Sequence, residues 1–379
     1  MDLRLNDEQK MIVESADVFL QEKSTSAQVR KVSEEGGGID RALWQEAADM
    51  GWLGVALPER AGGMGLGWME LVLLQEKMGY YLACIPFFDA AVALTPLWQQ
   101  LSVSDAGLAT VERLAQSGQV CVLGMSVHGG LQADAKVVQE GDALLLSGQW
   151  QQVGSGSHAD VFILPAKLPC GRVALLEVPG TSAGLQVQPL QTVDATRSSA
   201  NVHAQAVRLS PANVLIQGDA LQSLWPRLRS LAAIGLAAEQ VGVAERALDL
   251  TVNYTKERHQ FGKAVATFQG LKHRVAQMLV KVETARSAVY GAAFMADAGV
   301  DDNELLMFAA QARTEATEAA LFATRESIQL HGGVGFTWEF DPHLYFRRAQ
   351  ASSQRLGPVS QWREAVAQQL LDAPQEELV

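Results

Sequence analysis

The segment around residue 330 constrains the fold more than any other, because a long helix must end there. Residues 305–330 are rich in alanine and contain neither glycine nor proline, which predicts one long helix. Gly332, Gly333 and Gly335 follow, and we expect them to end it, since only glycine adopts positive φ without a steric cost. Bare backbone at a helix end also lets a bulky polar ligand approach main-chain N–H groups. Taken alone, however, such a pattern more often marks a simple helix stop.

The composition narrows the class of protein. The chain has 379 residues, of which 48% are hydrophobic and 19% charged, which is typical of two or three well-packed units. A net charge of -12 argues against non-specific nucleic-acid binding. The sequence shows neither a signal-peptide pattern nor an apolar run long enough to span a membrane. Three widely spaced cysteines and scattered histidines predict a reduced, cytoplasmic protein without disulfides or a metal site.

The periodicity divides the chain into an α part, a β part and a second α part. Helical spacing occupies residues 6–30, 40–51, 69–78 and 108–117. Short β-rich runs, separated by glycine and proline, follow at 136–148, 161–165 and 172–178. Long helical runs return at 221–254, 271–298, 305–330 and 361–371. We therefore predict an N-terminal all-α domain (1–118), a central antiparallel β domain (119–218) and a C-terminal four-helix bundle (219–379).

A second informative segment, residues 254–263, lies between two of the C-terminal helices. Its Arg258 offers a planar fork of donors suited to phosphate, and Gly262 can break the helix before it. An isolated arginine at this place would more often cap the helix or pair with Glu257. Further on, Arg347 and Arg348 could likewise meet a phosphate or simply face solvent.

Together the two segments resemble the acyl-CoA dehydrogenase family of flavoproteins. The family's Arg-x-(Gln/Thr)-Phe-Gly motif matches Arg258, Gln260, Phe261 and Gly262. Its Gln-x-x-Gly-Gly-x-Gly-(Phe/Tyr) motif matches Gln329, Gly332, Gly333, Gly335 and Phe336. The turn at residues 57–65 is similar to the family's Pro-Glu-x-x-Gly-Gly-x-Gly. The resemblance covers essentially the whole chain and implies the α–β–α-bundle fold, with FAD as the cofactor.

The resemblance also implies which residues contact that cofactor. In the family both motifs reach across a dimer interface to the FAD of the neighbouring subunit. Arg258, Gln260 and Phe261 would then bind its pyrophosphate side, and Gln329 with the Gly332–Gly333 backbone its ribose and pyrophosphate. The flavin itself accepts the hydride, and the protein places its N5 against the β-carbon of the substrate.

The general base of the family is absent from both places where the resemblance locates it. Dehydrogenation needs a carboxylate that removes the α-proton of the thioester. Leu356 occupies the position of the Glu found in most members, and Ala232 falls at the position used by the others. Glu239 lies two helical turns beyond Ala232, roughly 10 Å along the axis, which is too far for a simple substitute.

Two flavin-contacting segments of the β domain also depart from the family. The Thr-Glu-Pro-x-x-Gly-Ser-Asp segment is replaced by residues 124–131, which read Gly-Met-Ser-Val-His-Gly-Gly-Leu. The Trp-Ile-Thr segment aligns with Gln152, Val153 and Gly154, which provide neither the ring nor the hydroxyl. Since three parts of one active site are missing together, we predict a chain without a complete site of its own.

Some bacterial members of the family that act on steroid side-chain thioesters are heterotetramers in which only half of the sites work, and residues 336–348 are similar to that subgroup. We therefore predict the partner subunit of an α2β2 acyl-CoA dehydrogenase. This subunit would complete an FAD site whose flavin ring, base and acyl-CoA substrate belong to a homologous chain. Two alternatives stay open: a homo-oligomer with base-independent chemistry on a CoA thioester, and a flavin-free structural or regulatory subunit.

Overall fold

The computed structural model describes residues 4–36, 38–115, 118–125, 129–131 and 134–371. Its helices up to the sheet are α1 (Asp7–Lys23), α2 (Ser26–Glu34), α3 (Arg41–Asp49), α4 (Trp68–Tyr80), α5 (Thr95–Leu101) and α6 (Asp105–Ala115). The helix predicted over 6–30 is thus two helices. Ser24 ends α1, and the Thr25 hydroxyl caps α2 by accepting a hydrogen bond from the Gln28 N–H at 3.3 Å.

One helix and one helical turn of this first part escaped prediction. A π-helical turn spans Phe87–Val92, and α5 begins with Pro96 in its first turn. Both are buried on nearly every side, so their sequence lacks the alternation of apolar and polar residues that marks a surface helix.

The central part is one sheet. Its strands are β1 (Cys121–Leu123), β2 (Lys136–Glu140), β3 (Ala143–Gly154), β4 (Val161–Lys167), β5 (Val173–Pro179), β6 (Leu185–Pro189), β7 (Ser199–Leu209) and β8 (Val214–Gln217). The order is β6-β7-β3-β2-β4-β5-β8, with β1 beside β4. The predicted hairpin is β2–β3, in which Glu140 pairs with Ala143. The sheet is predominantly antiparallel, as predicted, with parallel pairing of β4 to β1 and to one residue of β2.

The C-terminal part is helical. It comprises α7 (Asp219–Glu257), α8 (Gln269–Asp297), α9 (Asp302–His331), α10 (Pro342–Gln354) and α11 (Val359–Leu371). A small hairpin of β9 (His259–Gln260) and β10 (Lys263–Ala264) joins α7 to α8. The predicted fold class is confirmed, and α10 is an additional short helix that Pro342 begins. The domain limits at 118 and 218 stay proposals. Among the described residues, no helix is long and apolar enough to cross a membrane.

Glycine allows α4 and α7 to pack in backbone contact. A Cβ at Gly242 would lie 1.9 Å from the Glu76 carbonyl oxygen, and one at Gly79 would lie 2.0 Å from that of Glu239. Neither distance is possible for a real carbon, so both positions require glycine. This close approach joins α7 to α4, the helix of the first part that carries Gln75 and Glu76.

We expect Gly242→Ala to destabilise the protein by about 1 to 3 kcal/mol or more, because the methyl group must push two backbones apart. Urea unfolding of the purified chain measures this. Gly270→Ala is the matched control, since no described atom lies within 4 Å of a Cβ there. That control should change the free energy of unfolding by at most about 1 kcal/mol, in the stabilising direction. Equal effects of the two substitutions would contradict the packing argument.

Candidate functional site

The two sequence motifs meet at one open surface cavity of about 580 Å³. All six residues predicted to contact the cofactor line it, together with neighbours from both loops: Tyr254, Arg258, Gln260, Phe261, Val265, Phe268, Leu271, Gln329, Leu330, His331, Gly332, Gly333 and Val334. The ends of α7 and α9, about 70 residues apart in sequence, therefore present their polar groups to the same space.

The three glycines after α9 differ in what they do. Gly332 ends the helix with φ 65° and ψ -143°, a conformation that side chains disfavour, so its predicted role is confirmed. Residue 335 must be glycine because its backbone lies close to that of α9: a Cβ there would lie 2.6 Å from the Ile328 carbonyl oxygen. Gly333 has negative or extended φ, and no described atom lies within 4 Å of a Cβ on it. Nothing in the described part of the chain therefore requires glycine at residue 333.

Arg258 is exposed at the end of α7, where its N–H donates to the Tyr254 carbonyl at 2.8 Å. Its guanidinium forms no ion pair with Glu257 or with any other described residue, so the pairing alternative is not seen. Beyond it, Phe261 has φ 53° and is 91% exposed at the tip of the β9–β10 hairpin. A strained, exposed aromatic side chain is costly unless something outside this chain covers it.

A cluster of three rings fastens the two loops together, which the sequence did not reveal. Tyr254 of α7 stacks on His331 of α9 with 4.4 Å between ring centroids, and Phe340 packs edge-on against both. The His331 Nδ1 lies 2.6 Å from the Ser327 carbonyl oxygen, within the last turn of α9. Burial, only partly offset by that hydrogen bond, lowers the pKa of His331, so the stacked ring is neutral at physiological pH.

This surface has the donors that a dinucleotide diphosphate requires. It offers a guanidinium from Arg258 that pairs with no described residue, an exposed amide from Gln329, and main chain at Gly332 and Gly333 that no described side chain obstructs. FAD therefore fits the residues present on this surface.

A second cavity, of about 520 Å³, lies between the sheet and the end of α10. Leu356, one of the two positions predicted to carry the family's base, lines it and is 5% exposed. Ala232, the other position, is fully buried in α7 and does not line it. Gln152 and Gly154 also line this cavity. Of residues 124–131, which replace the Thr-Glu-Pro segment, 126–128 lie outside the described residues.

An ion pair fills the space beside Gly154. Asp89 and Arg355 bond to each other, and Asp89 also accepts a hydrogen bond from the Ser155 hydroxyl at 2.7 Å. A Cβ on Gly154 would lie 2.3 Å from the Asp89 Oδ1 and 2.4 Å from the Arg355 Nη2. A threonine, which the resemblance expects here, cannot fit without displacing the pair. Neither member was predicted, because they are 266 residues apart.

Glu239 is held in a buried network and is unfit as a proton acceptor. Its carboxylate bonds to Arg197, accepts from the Ser352 hydroxyl at 2.9 Å and from the Gln75 amide at 3.2 Å, and lies 3.8 Å from Arg348. Burial by itself would raise its pKa, but the two guanidinium groups outweigh burial and lower the pKa to about 2. This pairing agrees with the expectation that Glu239 does not serve as a base.

Arg348 was predicted either to meet a phosphate or to face solvent, and both predictions are wrong. Its side chain is 3% exposed and bonds to Asp194 at 2.6 Å and to the Thr196 hydroxyl at 2.6 Å. It thus ties α10 to the segment before β7 rather than meeting a phosphate or solvent. Arg347 instead lies over the exposed Trp338 ring, 5.2 Å from its centroid.

Comparison with known proteins identifies the family. The model of the acyl-CoA dehydrogenase N-terminal domain matches residues 6–101, and that of the C-terminal domain matches residues 196–371. The chain belongs to the acyl-CoA dehydrogenase family. The family consists of FAD-dependent oxidoreductases, so the predicted enzyme class and cofactor are supported at that level.

The similar proteins include several from mycobacteria. Acyl-CoA dehydrogenase IpdE2 of Mycobacterium tuberculosis is 31% identical over 358 residues, which cover 92% of this chain and 93% of that protein. Acyl-CoA dehydrogenase FadE34 of the same organism is 34% identical over 88% of this chain but only 43% of its own length. Among solved structures, the ChsE4–ChsE5 complex from Mycobacterium tuberculosis superposes with a TM-score of 0.86 at 25% identity, covering 99% of this chain and 100% of that one. A variant of the Tcur3481–Tcur3483 steroid ACAD superposes with a TM-score of 0.83 at 27% identity, covering 97% and 98%.

We expect Glu239→Gln to lower the free energy of unfolding at neutral pH by about 3 to 5 kcal/mol, because it leaves Arg197 and Arg348 buried with too little negative charge. The folded-state pKa of Glu239 lies below its ordinary value of 4.5. Its stabilisation is therefore complete above about pH 4.5 and is lost as the pH falls toward about 2. The difference between variant and wild type should shrink over that range, as urea unfolding at a series of pH values would show.

Glu112→Gln on the exposed face of α6 is the control and should leave stability unchanged at every pH. A Glu239→Gln protein of wild-type stability that abolished turnover in an assembled enzyme would instead assign Glu239 to proton transfer.

Proposed function

We propose that the chain is a subunit of an FAD-dependent acyl-CoA dehydrogenase that completes the FAD site of a homologous partner subunit and provides no base. The partner would hold the flavin ring, the catalytic carboxylate and the CoA thioester, and the reaction would be α,β-desaturation. The observation that carries the proposal is an intact, outward-facing motif surface together with an inner cavity whose described lining residues include no usable carboxylate.

The outer surface supports a role toward another chain. Arg258 is unpaired within the described residues, Phe261 is almost fully exposed, and Gly333 faces open space. The fold of this chain alone explains neither the exposed ring of Phe261 nor the glycine at residue 333. A diphosphate and a partner surface explain both, since the first needs close backbone donors and the second covers apolar rings.

The inner cavity supports the absence of a complete site. Three carboxylates lie at or near it, and all are bound: Asp89 by Arg355 and Ser155, Asp194 by Arg348, and Glu239 by Arg197. A carboxylate held by a guanidinium is stabilised in its ionised form and is a weak proton acceptor. Within the described residues lining the cavity, we therefore find no group suited to removing an α-proton.

The relatives provide independent support for a partner. Two of the similar structures are complexes of two different chains, ChsE4–ChsE5 and Tcur3481–Tcur3483. The match to FadE34 occupies 43% of that protein, which leaves room in it for a second unit of this length. Because the Tcur3481–Tcur3483 enzyme is described as a steroid ACAD, we extend the proposal to a steroid side-chain thioester as the substrate.

Purification of the chain by itself and together with a homologous subunit encoded beside it tests the assembly. When the chain is purified by itself, we expect it to be colourless or to contain little FAD. The co-purified α2β2 complex should be yellow and active, with two FAD per tetramer by absorbance. A yellow, active homo-oligomer would overturn the proposal in favour of base-independent chemistry, and a flavin-free complex would favour a structural or regulatory subunit. Comparing steroid side-chain and butyryl thioesters tests the substrate class.

Gly333→Ala and Gly335→Ala separate cofactor binding from folding. Since a methyl group at residue 333 meets no described atom of this chain, we expect unchanged stability of the isolated chain but weaker FAD retention by the complex, by about tenfold or more. Gly335→Ala should instead destabilise the chain, because its Cβ would collide with the Ile328 carbonyl. Flavin release on dilution and urea unfolding are the two measurements. Unaltered FAD retention by the Gly333→Ala complex would remove this surface from the cofactor site.

A further inference from the structure

The 520 Å³ cavity has the size of a small-molecule site, and apolar side chains form much of its lining. Its apolar residues include Phe88, Leu123, Met125, Leu190, Val193 and Leu356. Several residues here hold unfavourable backbone conformations: Gln152 and Leu356, which line the cavity, have φ 54° and 59°, and the neighbouring Ser155 has φ 54°. Strained residues cluster at ligand sites more than elsewhere, because packing alone gives no reason to keep them.

Two arginines and two aspartates line the cavity, and the arginine side chains are the more exposed. Arg355 and Arg197 line it, with 23% and 14% of their side chains exposed. The carboxylates that also line it are less exposed, at 9% for Asp89 and 2% for Asp194. A molecule in the cavity therefore meets guanidinium nitrogens more than carboxylate oxygens.

The buried network of charged side chains beside this cavity also has more positive than negative groups. Its members are four guanidinium groups (Arg197, Arg313, Arg348 and Arg355) and three carboxylates (Asp89, Asp194 and Glu239). Arg313, which bonds only to neutral oxygens among the described residues, has its pKa lowered by burial to about 9 and so stays charged at neutral pH. One positive charge is therefore in excess, and an anion bound at the cavity would balance it.

We propose that this cavity binds an apolar carboxylic acid as its free carboxylate, with Arg355 donating to the carboxylate and the apolar wall covering the chain. No bond is made or broken in this step, since the cavity offers no free proton acceptor among its described lining residues. The inference rests on the proposed function in one respect, namely that the cavity holds no flavin of its own. It would make the cavity a product- or substrate-sensing site in a subunit that does no chemistry.

The probe is decanoate, with decan-1-ol as a neutral molecule of equal chain length, titrated calorimetrically into the full chain. We expect decanoate to bind at least about tenfold more tightly than the alcohol, since one charge-assisted hydrogen bond distinguishes them. Arg355→Gln should remove this preference and leave the affinity for decan-1-ol unchanged. Arg347→Gln, which alters a guanidinium outside the cavity, should change neither affinity. Equal binding of acid and alcohol by the wild type would overturn the proposal.

Asp89→Asn keeps the test valid if Arg355→Gln fails to fold. Asp89 competes with the ligand for Arg355, so removing its charge should tighten decanoate binding several-fold, whereas a purely structural pair would weaken it or leave it unchanged. Weaker or equal binding by this variant would contradict the proposal. Neither titration depends on the flavin content of an assembled complex, so failure here and failure of the proposed subunit role give separate results.

Discussion

The buried contact between Glu239 and its guanidinium partners is the interaction on which the rest of this structure depends. Glu239 belongs to α7, Arg197 to the segment before β7, and Arg348 to α10, so one carboxylate joins two helices of the C-terminal part to the central part. Charges out of water are tolerated only when they are paired and hydrogen-bonded, which fixes these elements relative to one another. Ser352 and Gln75 complete the shell, and Gln75 lies on α4, which backbone contact at Gly79 and Gly242 holds against α7.

Much of the fold could be predicted because its determinants are local. The end of α9 follows from the positive φ of Gly332, and the β2–β3 hairpin follows from the short turn between two β-rich runs. The elements that were missed lack such local signals. The helix α5 is mostly buried, and α10 follows the glycine-rich loop so closely that its pattern is too short to stand out from it. Arg348 shows the limit most clearly, since its partner Asp194 is 154 residues away.

Of the candidate site, too, the sequence predicted the features that a local motif carries and missed those that depend on distant contacts. Resemblance to the family put Arg258 and Gln329 on one surface, and the structure brings both to one cavity, although cofactor contact stays a proposal. What sequence could not show is the reason the loops meet, which is the contact of Tyr254, His331 and Phe340. Nor could the sequence assign a different role to each glycine. Gly332 is needed for its positive φ, Gly335 for a close backbone approach, and Gly333 faces open space, but all three are written as the same residue.

Under the proposed subunit role, the inner cavity differs from a complete site by more than one side chain. A carboxylate restored at residue 356 would sit next to Arg355, whose guanidinium would favour its ionised form and so weaken it as a base. Arg355 in turn is fixed by Asp89, and that pair excludes any side chain larger than hydrogen at Gly154. The leucine, the ion pair and the glycine are therefore mutually consistent. Replacing any one of them by the residue that the family has would not be enough for dehydrogenation, because the other two would still obstruct it. The outer surface around Arg258 and Gly333 lines a different cavity from these residues, so a chain can keep the one while losing the chemistry of the other.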